Sequence, residues 1–155
     1  MPERRLSQIT LTGTRAGVAR PGYDRSRASG IVHLGVGAFH KAHQAVATDD
    51  AMNATGGDWM ITGVSLRAPK VAEELNPQDG LYTLLVRDTE GAAARIVGSI
   101  GKVLVAPQGP VTVLDAIAAP ATRIVSLTIT EKGYGIDPKT GGLDRTQAAI
   151  AADLE

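Results

Sequence analysis

The fold of this chain is decided by the stretch Ile31-Val32-His33-Leu34-Gly35-Val36-Gly37-Ala38-Phe39-His40-Lys41-Ala42-His43-Gln44-Ala45. A short run rich in β-branched residues leads through a Gly-x-Gly turn into an alanine-rich segment that contains no helix breaker. This order predicts a strand, a tight turn and a helix, the unit from which dinucleotide-binding domains are built. Glycine suits the turn because a Cβ would obstruct the close approach of a pyrophosphate to the backbone N–H groups at the helix N-terminus.

The third glycine of the usual Gly-x-Gly-x-x-Gly fingerprint is absent. His40 occupies its position, so the match is Gly-x-Gly-x-x-His. The pattern predicts that a dinucleotide cofactor contacts six consecutive residues: Gly35, Val36, Gly37, Ala38, Phe39 and His40. An ordinary strand–helix turn of an α/β protein is the alternative on this motif alone, because short motifs also occur by chance.

The composition allows an α/β fold in a single globular domain and excludes several other classes. The chain has 155 residues, 43% of them hydrophobic and 21% charged, which is ordinary for a globular protein with a sizeable core. Lysine plus arginine and aspartate plus glutamate number 16 each, so no net field favours nucleic acid or an anionic membrane as a partner. The lack of cysteine excludes disulfides, thiolate zinc sites and cysteine nucleophiles. No apolar run approaches the ~20 residues that cross a bilayer.

Residues 1–29 are predicted to form a polar arm ahead of the first strand. Arginine recurs between Arg4 and Arg27, which could suggest an organelle transit peptide. Glu3 and Asp24 interrupt the positive charge, however, and the apolar segment of a secretory signal is missing. We therefore expect a cytoplasmic protein with an N-terminal arm over 1–29 and a dinucleotide-binding domain over 30–155.

From residue 30 onward, strands and helices alternate as a nucleotide-binding sheet requires. The periodicity and the glycine and proline breaks predict strands over 31–36, 59–66, 81–87, 95–105 and 123–130, and helices over 38–53, 69–75, 110–119 and 146–154. Strands 81–87 and 95–105 are expected to pair, and residues 133–143 to form a glycine-rich loop or hairpin. On the first helix, the residues expected to face the sheet are Ala38, Ala42, Ala45 and Met52. The predicted fold class is α/β: a Rossmann-like domain with a mostly parallel sheet, some antiparallel strands, and a sheet that is incomplete at the C-terminus.

The end of the second predicted strand bears on the choice of cofactor. A Rossmann domain usually places an acidic residue there, about 20 residues beyond the glycine turn, to bind the ribose 2′-hydroxyl of NAD. This chain instead reads Ser65-Leu66-Arg67-Ala68-Pro69, and its first acid is Glu73. Ser65 and Arg67 are the predicted cofactor contacts here, with Arg67 able to meet a 2′-phosphate or to stack on adenine. A solvated loop charge is the alternative, so the sequence does not choose between NAD and NADP.

The histidines have separate interpretations. His40 and His43 form a His-x-x-His pair at helical spacing, but a metal site needs a third ligand and organised supporting contacts. No other cluster of ligand-type residues supports one, so no metal is expected. His33 lies inside an apolar run and is predicted to be a hydrogen-bonded core histidine.

Four separated segments carry a family resemblance. Besides the glycine turn, they read Ala19-Arg20-Pro21-Gly22-Tyr23-Asp24, Gln78-Asp79-Gly80-Leu81-Tyr82-Thr83 and Ser126-Leu127-Thr128-Ile129-Thr130-Glu131-Lys132-Gly133-Tyr134. In their order and content they resemble the polyol-specific long-chain dehydrogenases, the mannitol dehydrogenase family that includes the fructuronate reductases. Lys41 departs from the family pattern, where arginine is usual; the charge is kept but the bidentate fork is lost.

This resemblance implies an NAD-dependent oxidoreductase, with NADP as a second option, that transfers hydride between nicotinamide and a small sugar alcohol or sugar acid. Conversion of mannitol to fructose is the first expectation. A fructuronate reductase, which is a D-mannonate oxidoreductase, is the alternative. Neither nucleic acid nor a membrane is expected as a partner.

The resemblance also implies where the catalytic groups lie. Family members are much longer, and their catalytic lysine belongs to a C-terminal helical domain with no match here. That lysine is expected beyond Glu155, so no catalytic residue is expected within 1–155. Glu131 would line the proton path of such an enzyme, although a plain loop carboxylate is the alternative. We therefore expect the cofactor-binding N-terminal portion of the enzyme, with a catalytically silent nucleotide-binding fragment as the other interpretation.

Overall fold

The computed structural model describes residues 5–89, 91–129 and 131–155, apart from the side chains of residues 88, 131 and 132. The described strands are β1 Ile31–Leu34, β2 Ile61–Ser65, β3 Tyr82–Asp88, β4 Gly91–Val97, β5 Ile100–Val105 and β6 Ile124–Leu127. The α-helices are α1 Ala38–Ala42, α2 Gln44–Thr55, α3 Lys70–Leu75, α4 Pro110–Ala118 and α5 Ala148–Asp153. Short 3-10 helices span Leu11–Gly13, Asn76–Gln78, Ala106–Gln108 and Glu131–Tyr134.

Four of the strands form a parallel sheet in the order β5-β2-β1-β6, and β3 and β4 form a separate antiparallel hairpin. The strand β1 lies between β2 and β6. After β1, the chain therefore adds β2 and β5 on one side of it and later adds β6 on the other side. Such a reversal opens a crevice at the carboxyl ends of the strands, which is where α/β sheets bind ligands. The predicted α/β Rossmann-like fold, with a mostly parallel sheet and some antiparallel strands, is confirmed.

Around its central strands β1 and β2 the sheet is covered on both faces, and both strands are buried along most of their length. Successive side chains of a strand point to opposite faces. One face packs against α2 and α3, and its buried residues include Ile31, Ile61, Ile100, Ala45 and Leu75. The other face packs against α4, and its buried residues are Val32, Val64 and Val113. In the described part of the chain, no helix is long and apolar enough to cross a membrane.

The segment predicted as one strand over 95–105 is divided in the structure. Residues up to Val97 belong to the hairpin, and the chain then crosses to the parallel sheet as β5. Two contacts hold the crossing: the Gly98 N–H donates to Asp49 at 2.8 Å, and the Ser99 hydroxyl donates to the Ala45 carbonyl at 2.6 Å. The prediction that 95–105 pairs as a whole with 81–87 was wrong, because these buried contacts with α2 end the hairpin at Gly98.

The first predicted helix is also divided, at His43, whose backbone (φ −124°, ψ −80°) is not helical. Ala45 and Met52 are buried as predicted, whereas Ala38 and Ala42 are exposed. The break turns α1 relative to α2, so the residue that α1 buries is His40. The predicted strand over 123–130 is likewise shorter, since β6 spans only Ile124–Leu127.

Polar side chains of the described residues ahead of β1 help to hold this segment on the domain. Arg25 donates to the carbonyl oxygens of Gly98 at 2.8 Å and Ile100 at 3.0 Å. Tyr23 donates its hydroxyl to Asp49 at 2.6 Å, and burial, together with this carboxylate, raises the pKa of Tyr23 far above its usual range. Both side chains anchor the arm beside the β4–β5 crossing.

Candidate functional site

The glycine turn follows β1 at the carboxyl edge of the sheet. Gly35 has φ +96°, a conformation that residues with a Cβ rarely adopt. Its N–H donates to the Val64 carbonyl of β2 at 2.8 Å, and the Gly37 N–H donates to the Gly35 carbonyl at 2.8 Å. The turn is thereby fixed to the neighbouring strand before α1 begins.

Val36 supports the turn from below. Its side chain is 5% exposed and packs over Gly63 of β2, where an added Cβ would overlap the Val36 side chain. Val36 therefore presents its backbone, and not its side chain, to the crevice.

Gly37 is the N-cap of α1 and leaves open space above the turn. An ideal Cβ built at Gly37 would have the Gly35 carbonyl oxygen, 3.9 Å away, as its nearest neighbour. The first N–H groups of an α-helix have no acceptor within the helix, so the amides of Ala38 and Phe39 are available to a ligand. Since α1 is only five residues long, the large helix dipole expected from the sequence is reduced here to these local amides.

A pair of stacked histidines lies under the turn. The rings of His33 and His40 have centroids 3.7 Å apart and planes 12° apart, and the two residues are 2% and 1% exposed. Burial, and to a smaller extent the neighbouring His33, lowers the pKa of His40 to about 4, and burial also lowers the pKa of His33. Both rings are therefore neutral at pH 7. The prediction that His33 is a hydrogen-bonded core histidine is confirmed.

Polar side chains join this pair to α2 and β6. His33 Nδ1 lies 2.9 Å from Ser126 Oγ, and His33 Nε2 lies 3.2 Å from Thr128 Oγ1. Gln44 bridges the two elements, with Nε2 donating to Ser126 Oγ at 3.0 Å and Oε1 3.2 Å from His40 Nδ1. Sequence reasoning did not single out Gln44, Ser126 or Thr128. The four-residue spacing from His40 to Gln44 was the available signal.

The two histidines of the His-x-x-His pair face different neighbours. His40 stacks on His33, whereas exposed His43 stacks on Phe39, with ring centroids 4.3 Å apart. Phe39 itself is 63% exposed. Among the described residues, no group of three or more histidines, cysteines and carboxylates is arranged to hold a metal ion.

The carboxyl ends of β2 and β5 frame a second part of the crevice. Ser65 donates its hydroxyl to the Ala68 carbonyl at 2.5 Å and so tightens the loop in which exposed Arg67 lies. Beside this loop is an open cavity of about 480 Å³, whose lining includes Pro69, Ala72, Val105, Gln108, Gly109 and Thr112.

The proposed proton-path residue lies on the opposite side of the turn, after β6. Glu131 begins the 3-10 helix Glu131–Tyr134, but its side chain lies outside the described part of the structure, as does residue 130. The role predicted for Glu131 stays a prediction.

The last residue of the chain, Glu155, marks the limit beyond which the catalytic lysine is expected. Glu155 is exposed and follows α5, the helix Ala148–Asp153, whose residues are themselves almost all exposed. It has no part in the glycine turn, the histidine pair or the cavity beside Pro69. The position of the lysine beyond Glu155 stays a prediction, because the described residues do not test it.

Comparison with known proteins agrees with this architecture. The family model for the mannitol dehydrogenase Rossmann domain matches residues 29–155. Mannitol 2-dehydrogenase from Aspergillus fumigatus is 44% identical over 157 residues, which cover 98% of this chain and 31% of that protein. D-mannonate oxidoreductase from Escherichia coli is 43% identical over 152 residues, which cover 94% of this chain and 31% of that protein.

A solved structure shows the same fold at similar identity. Mannitol 2-dehydrogenase from Pseudomonas fluorescens, in a ternary complex with NAD and D-mannitol, matches with a TM-score of 0.83 and 42% identity, covering 97% of this chain and 32% of that one. The chain thus spans about a third of the length of these relatives. With the family model matching most of its residues, the chain belongs to the mannitol dehydrogenase Rossmann domain family.

Proposed function

We propose that this chain binds a nicotinamide dinucleotide across the carboxyl edge of its parallel sheet. The pyrophosphate lies against the turn Gly35–Gly37 and the first amides of α1, in the space that a Cβ on Gly37 would enter. The single observation that carries the proposal is this open glycine turn, fixed to β2 at the point where the strand order reverses. Ala38 contributes an amide and Phe39 an exposed ring, while buried His40 acts from beneath.

The adenosine end of the dinucleotide is assigned to the side of β2 and β5. Ser65 shapes the loop, Arg67 lies on it, and the cavity beside Pro69 has room for a purine. The nicotinamide end then extends towards β6 and the residues after it, where Glu131 is assigned to the proton path. The domain in this proposal is 30–155, preceded by the arm 1–29.

NAD is the proposed cofactor, with NADP also used. The solved relative binds NAD. In this chain, however, Ser65-Leu66-Arg67-Ala68-Pro69 contains no carboxylate that would repel a 2′-phosphate. Arg67 attracts such a phosphate without forming a complete site for it, so NADP binds more weakly but measurably.

The whole protein is proposed to be an oxidoreductase that transfers hydride between this cofactor and a sugar alcohol or a sugar acid. Nicotinamide supplies the hydride chemistry when it is bound, and the protein supplies binding and orientation. The similarity to mannitol 2-dehydrogenases favours a hexitol as substrate. D-mannonate is the second candidate, favoured by the similarity to D-mannonate oxidoreductase.

The test is Gly37→Val, with NADH binding to the purified chain followed by fluorescence titration. We expect NADH binding to be lost while the far-ultraviolet circular dichroism is kept, because the added side chain meets ligand and not protein. Gly13→Val is the matched control: Gly13 also has open space around it but lies in the arm, so binding should not change. Unchanged NADH affinity in a folded Gly37→Val variant would remove the pyrophosphate from this turn.

A further inference from the structure

In the usual fingerprint, the third glycine lets the helix lie close to the first strand. Here the corresponding position holds His40, whose imidazole stands between α1 and β1. The ring stacks on His33 of β1 with centroids 3.7 Å apart, and His40 is 1% exposed. Two stacked rings therefore lie between α1 and the backbone of β1.

The stack is also tied to β6. Through Gln44 and Ser126, a continuous line of hydrogen bonds runs from His40 to His33, with donor–acceptor distances of 2.9 to 3.2 Å. The turn with α1 is thus joined to β1, α2 and β6 in one partly buried cluster.

Within the described structure, the other nitrogen of His40, Nε2, is buried and has no hydrogen-bond partner. The polar contact of the ring is therefore that of Nδ1 with Gln44, and its contact with β1 is made by the face of the ring on His33. A flat side chain at this position is consequently more important to the geometry than a second polar nitrogen.

We propose that His40 is a positioning residue for the dinucleotide: its ring, stacked on His33, sets the height of the Ala38 and Phe39 amides above β1 and so aligns them with the pyrophosphate. This inference rests on the proposed dinucleotide site. It deepens that site by assigning the alignment of the turn amides to the ring that stands where the fingerprint has its third glycine.

The test compares His40→Phe with His40→Leu in the purified chain, using NADH as the probe. Phenylalanine preserves the flat stack, so NADH affinity should stay within about threefold of wild type. Leucine fills the space without a flat face, and misalignment of even one amide–phosphate hydrogen bond should weaken affinity about tenfold or more. The matched control is Ala51→Leu, which introduces the same side chain at an exposed position of α2 and should leave affinity unchanged.

Urea unfolding of each variant separates positioning from stability, because affinity is compared only under conditions where all variants are folded. The proposal is overturned if folded His40→Leu binds NADH as tightly as wild type, or if His40→Phe binds as weakly as His40→Leu. Should His40→Leu fail to fold, His40→Met takes its place. Methionine also fills the space without a flat face, so binding should weaken about tenfold or more, and unchanged affinity of this folded variant would overturn the proposal.

The two proposals fail differently in this experiment. Wild-type chain that binds no NADH refutes the dinucleotide site, and the positioning role falls with it. Wild-type chain that binds NADH, beside variants that bind equally well, refutes only the role of His40.

Discussion

Acidification should unfold this chain through its buried histidine pair. Burial lowers the pKa of His40 from 6.5 to about 4 in the folded protein, while the unfolded chain keeps a pKa near 6.5. Because the unfolded state then binds more protons, the free energy of unfolding falls as the pH drops through 6.5, and it stops falling below about 4. This contribution to stability is fully present above pH 6.5.

The size of the effect follows from the two pKa values. For one group with these values, the free energy of unfolding is lower by about 2 kcal/mol at pH 5 and about 3 kcal/mol at pH 4 than at neutral pH. The pKa of His33 is lowered in the same direction, so its protonation adds to the loss. A loss of this size is a large part of the stability of a small domain.

The assay is urea unfolding between pH 7 and pH 4, followed by the fluorescence of Trp59, the single tryptophan. His40→Phe keeps the stacked ring but cannot take up a proton, so between pH 7 and pH 4 it should lose about 3 kcal/mol less than wild type. His43→Leu, which removes an exposed imidazole, should follow wild type. If wild type and His40→Phe lose stability in parallel, His40 is not the acid-sensitive group, and the interpretation of its burial is wrong.

Two further predictions concern charged groups. Arg95→Met removes the cation 2.6 Å from Asp49, which is 1% exposed, and should lower the free energy of unfolding in urea by about 3 kcal/mol. Asp50→Asn breaks only the exposed ion pair of Arg95 and should lower it by less than about 1 kcal/mol. Equal losses in the two variants would contradict this account. Arg67→Asp should weaken NADPH binding about tenfold more than NADH binding, because the added negative charge repels the 2′-phosphate. An unchanged ratio of the two dissociation constants would show that Arg67 does not face the adenosine ribose.

The elements that the sequence predicts well are those with a local physical cause. Gly35 is needed for a positive φ, the β-branched runs favour strands, and Pro110 and Pro120 bracket α4. Each signal acts within a few residues, so the strand–turn–helix unit and the parallel sheet follow from the printed sequence.

The structural details that the sequence does not predict depend on contacts between distant residues. No sequence signal within residues 95–105 predicts that Asp49 accepts a hydrogen bond from the Gly98 N–H and so ends the hairpin there. The pairing of His33 with His40 is hidden for the same reason, since it requires both the break at His43 and the short first helix. A break set by tertiary packing leaves no mark in helical periodicity.

The choice of histidine at position 40 has a physical explanation that joins stability to the proposed site. A glycine there would let α1 move closer to β1 but would leave His33 without its stacking partner and α1 without the link to Gln44. A phenylalanine would fill the space and resist acid, yet it could not hydrogen-bond towards Ser126. Histidine alone among the three supplies both the flat face and the polar link, and its cost is a proton-binding group buried under the turn. If that balance is right, His40→Phe should be more stable than wild type in acid while binding NADH slightly less tightly at neutral pH.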